Sequence, residues 1–373
     1  MKKLLIFHPA LAPYRIDQFN ALSKLFDLEV VFIFDNVWNH KFDQSKLLLQ
    51  LEFKVSYLLR GVRFKGRVFR FAMLKLIRKT NPDIILGYEF SFTTQYLILL
   101  KRLGFISQPI GSTIDDSIDI CHHVQSRVRY FARKQTVKQL DYLVVLSKEV
   151  SFYYQNTFGL NENQIIVSPI LQNPTRLRMN SEVLERVASQ YADKYRLQGK
   201  KILLFVGRFI TEKGLVNFLN IVADVLKNQD KLILVLVGDG DERRLIERVI
   251  DEKKLNNTVL LPGRFEGDEL YAWYLSATGF VLPSTYEPFG AVVNEALIFG
   301  LKVLCSVHAG STILIGENGR LFNPTDSQDT LSEFINFTDS MQSLEKIQLT
   351  DRPSLMSGNE DEFKREWEKM IYD

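Results

Sequence analysis

Two cysteines in 373 residues, Cys121 and Cys305, are too few for a disulfide framework or a four-ligand zinc site; both read as reduced thiols, with a single pairing of the two as the alternative. No stretch approaches the roughly 18 consecutive apolar residues of a membrane-crossing helix. After Met1-Lys2-Lys3 the apolar run Leu4-Leu5-Ile6-Phe7 stops at His8-Pro9, too early for a signal peptide. No Gly-x-x-x-x-Gly-Lys-Ser/Thr phosphate loop is present. No Gly-x-Gly-x-x-Gly follows the first apolar run, which argues against a dinucleotide oxidoreductase. Short repeats and low-complexity tracts are also missing. With 46% hydrophobic and 24% charged residues, disorder, collagen-like and coiled-coil classes are excluded.

What is present is a chain too long for one core, since single cores rarely exceed about 250–300 residues. Its net charge of +3 is unevenly spread. Residues 1–175 hold 23 Lys and Arg against 14 Asp and Glu, or +9; residues 176–373 hold 24 against 30, or −6. The first half is therefore expected to face something anionic.

Short Val/Ile/Leu-rich runs alternate with helical patterns, and the alternation occurs twice. The first series has runs at 3–8, 28–35, 83–87, 109–113, 142–147 and 164–169. The second has them at 201–208, 232–238, 258–262, 279–284 and 302–307. This predicts two doubly wound α/β domains with parallel sheets covered on both faces. The turn at Leu171-Gln172-Asn173-Pro174 sets the boundaries: a domain over 1–175, a second over 176–355, and a charged C-terminal helix over 356–373 expected to pack back towards the first. Two such domains facing each other leave a cleft at the carboxyl ends of their strands, where ligands of this class bind.

The most informative stretch is Ser284-Thr-Tyr-Glu287-Pro-Phe289-Gly290-Ala291-Val292-Val-Asn-Glu295. A strand ends near Ser284 and a helix opens near Gly290, so free backbone amides and the helix dipole make an anion site. Glu287 and Glu295, one before the helix and one within it, could bracket a ligand whose phosphate sits on the amides. The alternative is a surface loop and a solvated helical Glu. Arg208 and Lys213 follow the first strand of the second domain, where two cations can neutralise a diphosphate without a metal; most such residues are simply solvated. Asp239 and Asp241 form only an isolated Asp-x-Asp, weak ground for a metal, and no metal is expected.

Together these residues resemble the retaining GT-B glycosyltransferases, family 4 (glycosyl transferases group 1). The resemblance rests on Gly207-Arg208 with Glu212-Lys213-Gly214, Val237-Gly-Asp-Gly240, Leu261-Pro-Gly-Arg264, the Glu287-x7-Glu295 segment and Gly316-Glu-Asn-Gly319, in that order. It runs from Lys201 to about Phe322 and continues more loosely in Pro13-Tyr-Arg15-Ile-Asp-Gln-Phe19 and Asp83-Ile-Ile-Leu-Gly87, which look like a bacterial branch that decorates surface or lipid-linked glycans. The resemblance implies that Arg208 and Lys213 clamp the diphosphate and that Glu287 binds donor-sugar hydroxyls. Phe289 and Gly290 would offer amides to the sugar, and Ala291 and Val292 amides to phosphate. Glu295 would hold the ribose, and the Arg264 backbone would read the base. It also implies a UDP- or GDP-linked donor as substrate, no cofactor, a glycan or lipid-linked acceptor, and a place in surface polysaccharide or glycoconjugate synthesis.

Three positions depart from the family. His8-Pro-Ala-Leu-Ala-Pro13 stands where a Gly-rich loop is common. Thr113-Ile-Asp115-Asp116 stands where many members carry a His, which makes Asp115 and Asp116 the acceptor-side candidates; a cap or turn role is the plainer alternative for Asp115. Ala309–Gly316 lacks the usual acidic residue. His122 and His123 are left outside the core site. The rival activities are a sugar-nucleotide epimerase or phosphorylase on the same fold, or a non-catalytic carbohydrate-binding relict. Finally, residues 54–79 carry nine basic residues and no acidic one, with Phe64, Val68, Phe69, Phe71, Met73, Leu74 and Ile77 interleaved. This segment is read either as lying on an anionic membrane or as a basic helix packed on its own sheet. Nucleic acid is set aside as a partner because the site chemistry points to sugars. The resulting location is the cytoplasm, with peripheral attachment at the inner face of the cell membrane.

Overall fold

The computed structural model describes residues 1–37, 41–64, 67–122, 126–356 and 359–372; His123 and Lys65 lie outside them, and of Arg63, Phe64, Arg67 and Asn359 only the backbone is described. The chain divides into two compact units, residues 1–172 with 358–373, and residues 173–357.

In the first unit the strands are β1 (Lys3–His8), β2 (Asp27–Phe32), β3 (Val55–Tyr57), β4 (Gly61–Phe64), β5 (Arg67–Arg70), β6 (Ile84–Tyr88), β7 (Ile110–Ile114), β8 (Tyr142–Val145) and β9 (Ile165–Val167). Among the described residues, seven of them form a parallel sheet in the order β3-β2-β1-β6-β7-β8-β9. The order reverses direction between β1 and β6, which places a topological switch point there. Alternation along β1 separates two cores: Leu5 and Phe7 face one, Leu4 and Ile6 the other. The first core is roofed by helices Met73–Thr80, Phe92–Arg102, Arg127–Val137 and Lys148–Phe158. The second is roofed by Ile16–Leu25 and by the terminal helix Asn359–Tyr372, which buries Phe363, Trp367 and Met370. Trp367 donates its indole N–H to Ser168 Oγ at 3.0 Å.

Residues 54–79 are not one basic helix. They form β3, an antiparallel hairpin β4–β5, and the helix Met73–Thr80. The physical reason is visible in Gly61-Val-Arg-Phe64 and Arg67-Val-Phe-Arg70, where β-branched and aromatic residues, which favour strand, fill the positions between the cations.

In the second unit β10 (Lys201–Val206), β11 (Leu232–Val237), β12 (Val259–Gly263), β13 (Gly279–Leu282), β14 (Val303–Ser306) and β15 (Gly319–Phe322) make a parallel sheet in the order β12-β11-β10-β13-β14-β15. The runs Lys201–Val206 and Leu232–Val237 are apolar almost throughout because helices cover both faces. Here the switch point lies between β10 and β13. The fold of each unit is therefore a doubly wound, Rossmann-like α/β sheet.

Candidate active site

In the second unit, the loops that leave the carboxyl ends of β10 and β13 close on each other at the switch point. Thr285 N–H donates to the Glu212 carbonyl at 2.9 Å. Gly214 has φ +67°, and a Cβ there would stand 2.4 Å from the Pro283 carbonyl oxygen, so glycine is what lets the two loops approach this closely. The contact brings Lys213 onto Glu287. The ammonium donates to the carboxylate, with both side chains largely buried (14% and 10% exposed). Ser284 Oγ approaches the same carboxylate oxygen at 3.4 Å. The two residues read from sequence as ligands of one donor are thus each other's partners in this structure.

Gly290, at φ +93°, caps the helix Ala291–Ile298. A Cβ at Gly290 would meet Leu282, Ser311 and Glu287 at 2.9–3.2 Å. Phe289 is buried, Ala291 and Val292 are half-buried, and the helix start stands four residues beyond Glu287. Arg208, one residue after Gly207, is exposed and has no ionic or side-chain hydrogen-bond partner among the described residues. Glu295 is buried within the helix and accepts the Tyr274 hydroxyl at 2.6 Å, a contact that sequence reasoning did not foresee. Burial, then the neighbouring Glu295 charge, push the Tyr274 phenol up, so it remains a donor. Arg264 is exposed at the end of β12, and its guanidinium pairs with Glu266. Asp239 pairs at 3.6 Å with Arg243, and no cluster of three metal-ligating side chains occurs among the described residues. The sequence tail Gly319 opens β15, where a Cβ would strike the Val303 carbonyl.

The first unit carries its own polar cluster, at the carboxyl ends of β1, β6 and β7. Asp115 is paired with Arg15, whose other guanidinium nitrogen donates to Gln18 at 2.6 Å. Burial raises the Asp115 carboxyl, but the Arg15 charge and hydrogen bond outweigh it and hold the group below its ordinary value. Asp115 keeps 44% of its side-chain surface open, so it can still meet a ligand. Asp116 is different: it is buried, accepts from Arg133 at 2.7 Å and from the Tyr154 hydroxyl at 3.4 Å, and so holds elements together.

Sequence reasoning missed three members of this cluster: Glu89, His8 and Arg133. Glu89 follows β6 at φ +47°, a backbone conformation uncommon outside glycine and one that clusters at functional sites. It accepts the Asp115 N–H at 2.9 Å. Its position at the end of a strand beside the switch point was the available signal. Burial, then the Asp115 and Asp116 charges, push the Glu89 carboxyl up to about 8. Burial and the Arg15 charge pull His8 down to about 3.

These two shifts have opposite signs in stability. His8 is neutral when folded, so it favours the folded state above its ordinary value of 6.5 and loses that contribution as pH falls. Glu89 is protonated when folded, so it favours the folded state at low pH and loses that contribution as pH rises towards 8. Between pH 6.5 and 8 the Glu89 effect stands alone. Stability of the first unit is expected to fall across that window in the wild type and to stay level in Glu89→Gln, as native-state hydrogen exchange of the β6 and β7 amides at three pH values, corrected for intrinsic exchange, would record. An equal fall in both proteins would contradict this protonation state.

Residues 189–347 match the family model described as glycosyl transferases group 1. A 2-deoxystreptamine N-acetyl-D-glucosaminyltransferase of Niallia circulans is 30% identical over 167 residues, 44% of this chain and 43% of the relative. A GDP-mannose-dependent alpha-mannosyltransferase of Corynebacterium glutamicum is 31% identical over 134 residues, 35% of this chain and 30% of the relative. The chain thus spans less than half the length of these relatives. The solved structure of Anabaena HepE in complex with UDP and glucose is 16% identical and covers 100% of both chains at a TM-score of 0.70. This establishes the shared fold, GT-B.

Proposed function

We propose that the protein moves a sugar from a nucleoside diphosphate sugar to a glycan or lipid-linked acceptor with retention of anomeric configuration; the match of residues 189–347 to the glycosyl transferases group 1 model and the shared GT-B fold support the reading. The observation that carries the reading is the junction of the β10 and β13 loops. It sets Arg208, the Lys213–Glu287 pair and the amides of the helix Ala291–Ile298 around one switch point. Arg208 supplies a free cation for the diphosphate. Lys213 supplies a second, shared between Glu287 and the phosphate once a donor is bound. The Ala291 and Val292 amides add the helix-terminus field. Glu287 accepts hydroxyls of the transferred sugar, Glu295 those of the ribose, and the Arg264 backbone reads the base.

In the reaction the bond between the anomeric carbon and the diphosphate oxygen breaks, and a bond to the acceptor oxygen forms on the same face. The acceptor proton passes to the departing diphosphate oxygen. Cations fixed where charge develops are the largest catalytic contribution such a site offers. Asp115, beside Arg15, is the acceptor-side group with open surface. The similarity to a UDP-bound structure and to a GDP-mannose-dependent enzyme supports UDP or GDP donors as the class to try.

The test is thermal unfolding in a chelator with UDP, GDP and their sugars. The site as drawn needs no metal, so one of these nucleotides should raise Tm without it. At ligand 100 times its Kd the stabilisation is about 2.7 kcal/mol. A shift that appears only with Mn²⁺ or Mg²⁺, or no shift with any nucleotide, contradicts the arrangement.

A further inference from the structure

We infer that the outer layer over one face of the first unit, made by the β4–β5 hairpin and the helices Phe92–Arg102 and Arg127–Val137, docks peripherally on an anionic lipid bilayer. From the proposed function it takes only the class of lipid-linked acceptors; its physical basis is independent of that chemistry.

The three elements are neighbours. Phe69 of the hairpin packs edge-on against Tyr96 of the helix Phe92–Arg102, with ring centroids 5.1 Å apart. Gln95 of the same helix donates to Thr136 of the next at 3.0 Å. Both helices back onto one core through Leu97, Ile98, Leu100 and Val137. Several of their outward residues are large and apolar. Along the helix Phe92–Arg102, Phe92, Tyr96, Leu99 and Leu103 recur at helical spacing, and Leu99 and Leu103 are 48% and 61% exposed. On Arg127–Val137, Val128 is 78% and Phe131 62% exposed. Val62 and Phe71 add 55% and 49% from the hairpin and its exit.

Charge is as one-sided as the apolar surface. Residues 54–82, 90–114 and 120–140 hold 9, 2 and 5 Lys and Arg and no acidic residue; Asp83, Glu89, Asp115, Asp116 and Asp119 stand in the segments between them. Some of these cations are used internally, as Arg133 is by Asp116 and Lys101 by Asp141. Arg102, Arg127 and Arg129 are exposed. The opposite face of the same sheet is roofed by Asn359–Tyr372, which carries five acidic residues, Glu360, Asp361, Glu362, Glu366 and Glu368, against three basic ones. Exposed cations on the same elements as exposed Phe, Leu and Val side chains match a headgroup layer above acyl chains. A nucleic acid would use the cations but leave the aliphatic side chains without a partner. The surface is therefore composite, and residues 54–79 are only part of it.

The experiment is cosedimentation of the full chain with neutral phosphatidylcholine vesicles and with vesicles containing phosphatidylglycerol, at low and high salt. The variants are Leu103→Ser/Phe131→Ser and Arg102→Glu/Arg129→Glu, both confined to exposed side chains and checked by thermal unfolding. Binding is expected on anionic vesicles only, and weaker at high salt. Each variant should lower partitioning by about tenfold or more at unchanged Tm. Equal recovery in the supernatant for all vesicles overturns the inference. So does binding to an RNA duplex that competes with vesicles and is untouched by Leu103→Ser/Phe131→Ser. Neither result bears on nucleotide binding, so failure here is distinguishable from failure of the transferase reading.

Discussion

Glu287→Gln is expected to lower sugar transfer by about a hundredfold or more while leaving affinity for free UDP or GDP no weaker than in the wild type. The substitution keeps the shape of the side chain and removes its charge. In the free protein that charge is neutralised by Lys213, and the pair is largely buried. Removing it releases Lys213 for phosphate, so nucleotide binding does not suffer. What is lost is the acceptor of hydroxyl hydrogen bonds on the sugar that is being transferred, an interaction present with the donor and absent with the bare diphosphate. Lys213→Ala differs: it leaves the Glu287 carboxylate unpaired beside the phosphate position and should weaken nucleotide binding and turnover together. Steady-state rates with isothermal titration separate the two patterns. Intact turnover in Glu287→Gln with reduced nucleotide affinity would reverse the assignment of these side chains.

The second large effect is structural. Arg133→Ala is expected to destabilise the first unit by about 3–5 kcal/mol, because it strands a buried carboxylate. Asp116 is 10% and Arg133 16% exposed in side-chain surface, and they are joined at 2.7 Å. The guanidinium also lies 4.9 Å from the centre of the Phe90 ring, so packing is lost along with charge. The double variant Arg133→Met/Asp116→Asn should recover most of the loss, since neither charge is then left unpaired. With two units in one chain, a single global unfolding curve does not isolate this effect. Native-state hydrogen exchange of the β6 and β7 amides does, and unchanged exchange in Arg133→Ala would show that Asp116 finds another partner.

Legibility in the sequence follows burial. The runs that became β1, β10 and β11 are apolar at nearly every position, and the sequence begins them at Lys3, Lys201 and Leu232, where the structure does. Their carboxyl ends are less legible: the run 28–35 extends past β2, which ends at Phe32, because Ile33 continues the apolar pattern after the ladder stops. β3 and β15 carry polar or exposed residues at the edges of their sheets, and no apolar run marks them. The same contrast holds in the site. Glu287, Gly290 and Glu295 lie within twelve residues of one strand–loop–helix, so their shared location could be read from spacing. The pairing of Lys213 with Glu287 joins loops 74 residues apart and depends on the parallel order of β10 beside β13. Arg15 and Asp115 are 100 residues apart and meet only because β1 and β7 flank β6. Glu89 has no motif around it; its role is set by the conformation at the end of β6 and by two neighbouring carboxylates.

The account stands most directly on one assay: release of UDP or GDP from a panel of nucleotide sugars in the presence of a chelator, by wild type and Glu287→Gln side by side. At least one donor should be consumed by the wild type without metal, with release by Glu287→Gln lower by about a hundredfold. Equal release by the two proteins, or a wild type that consumes donors only when a divalent metal is restored, would contradict it.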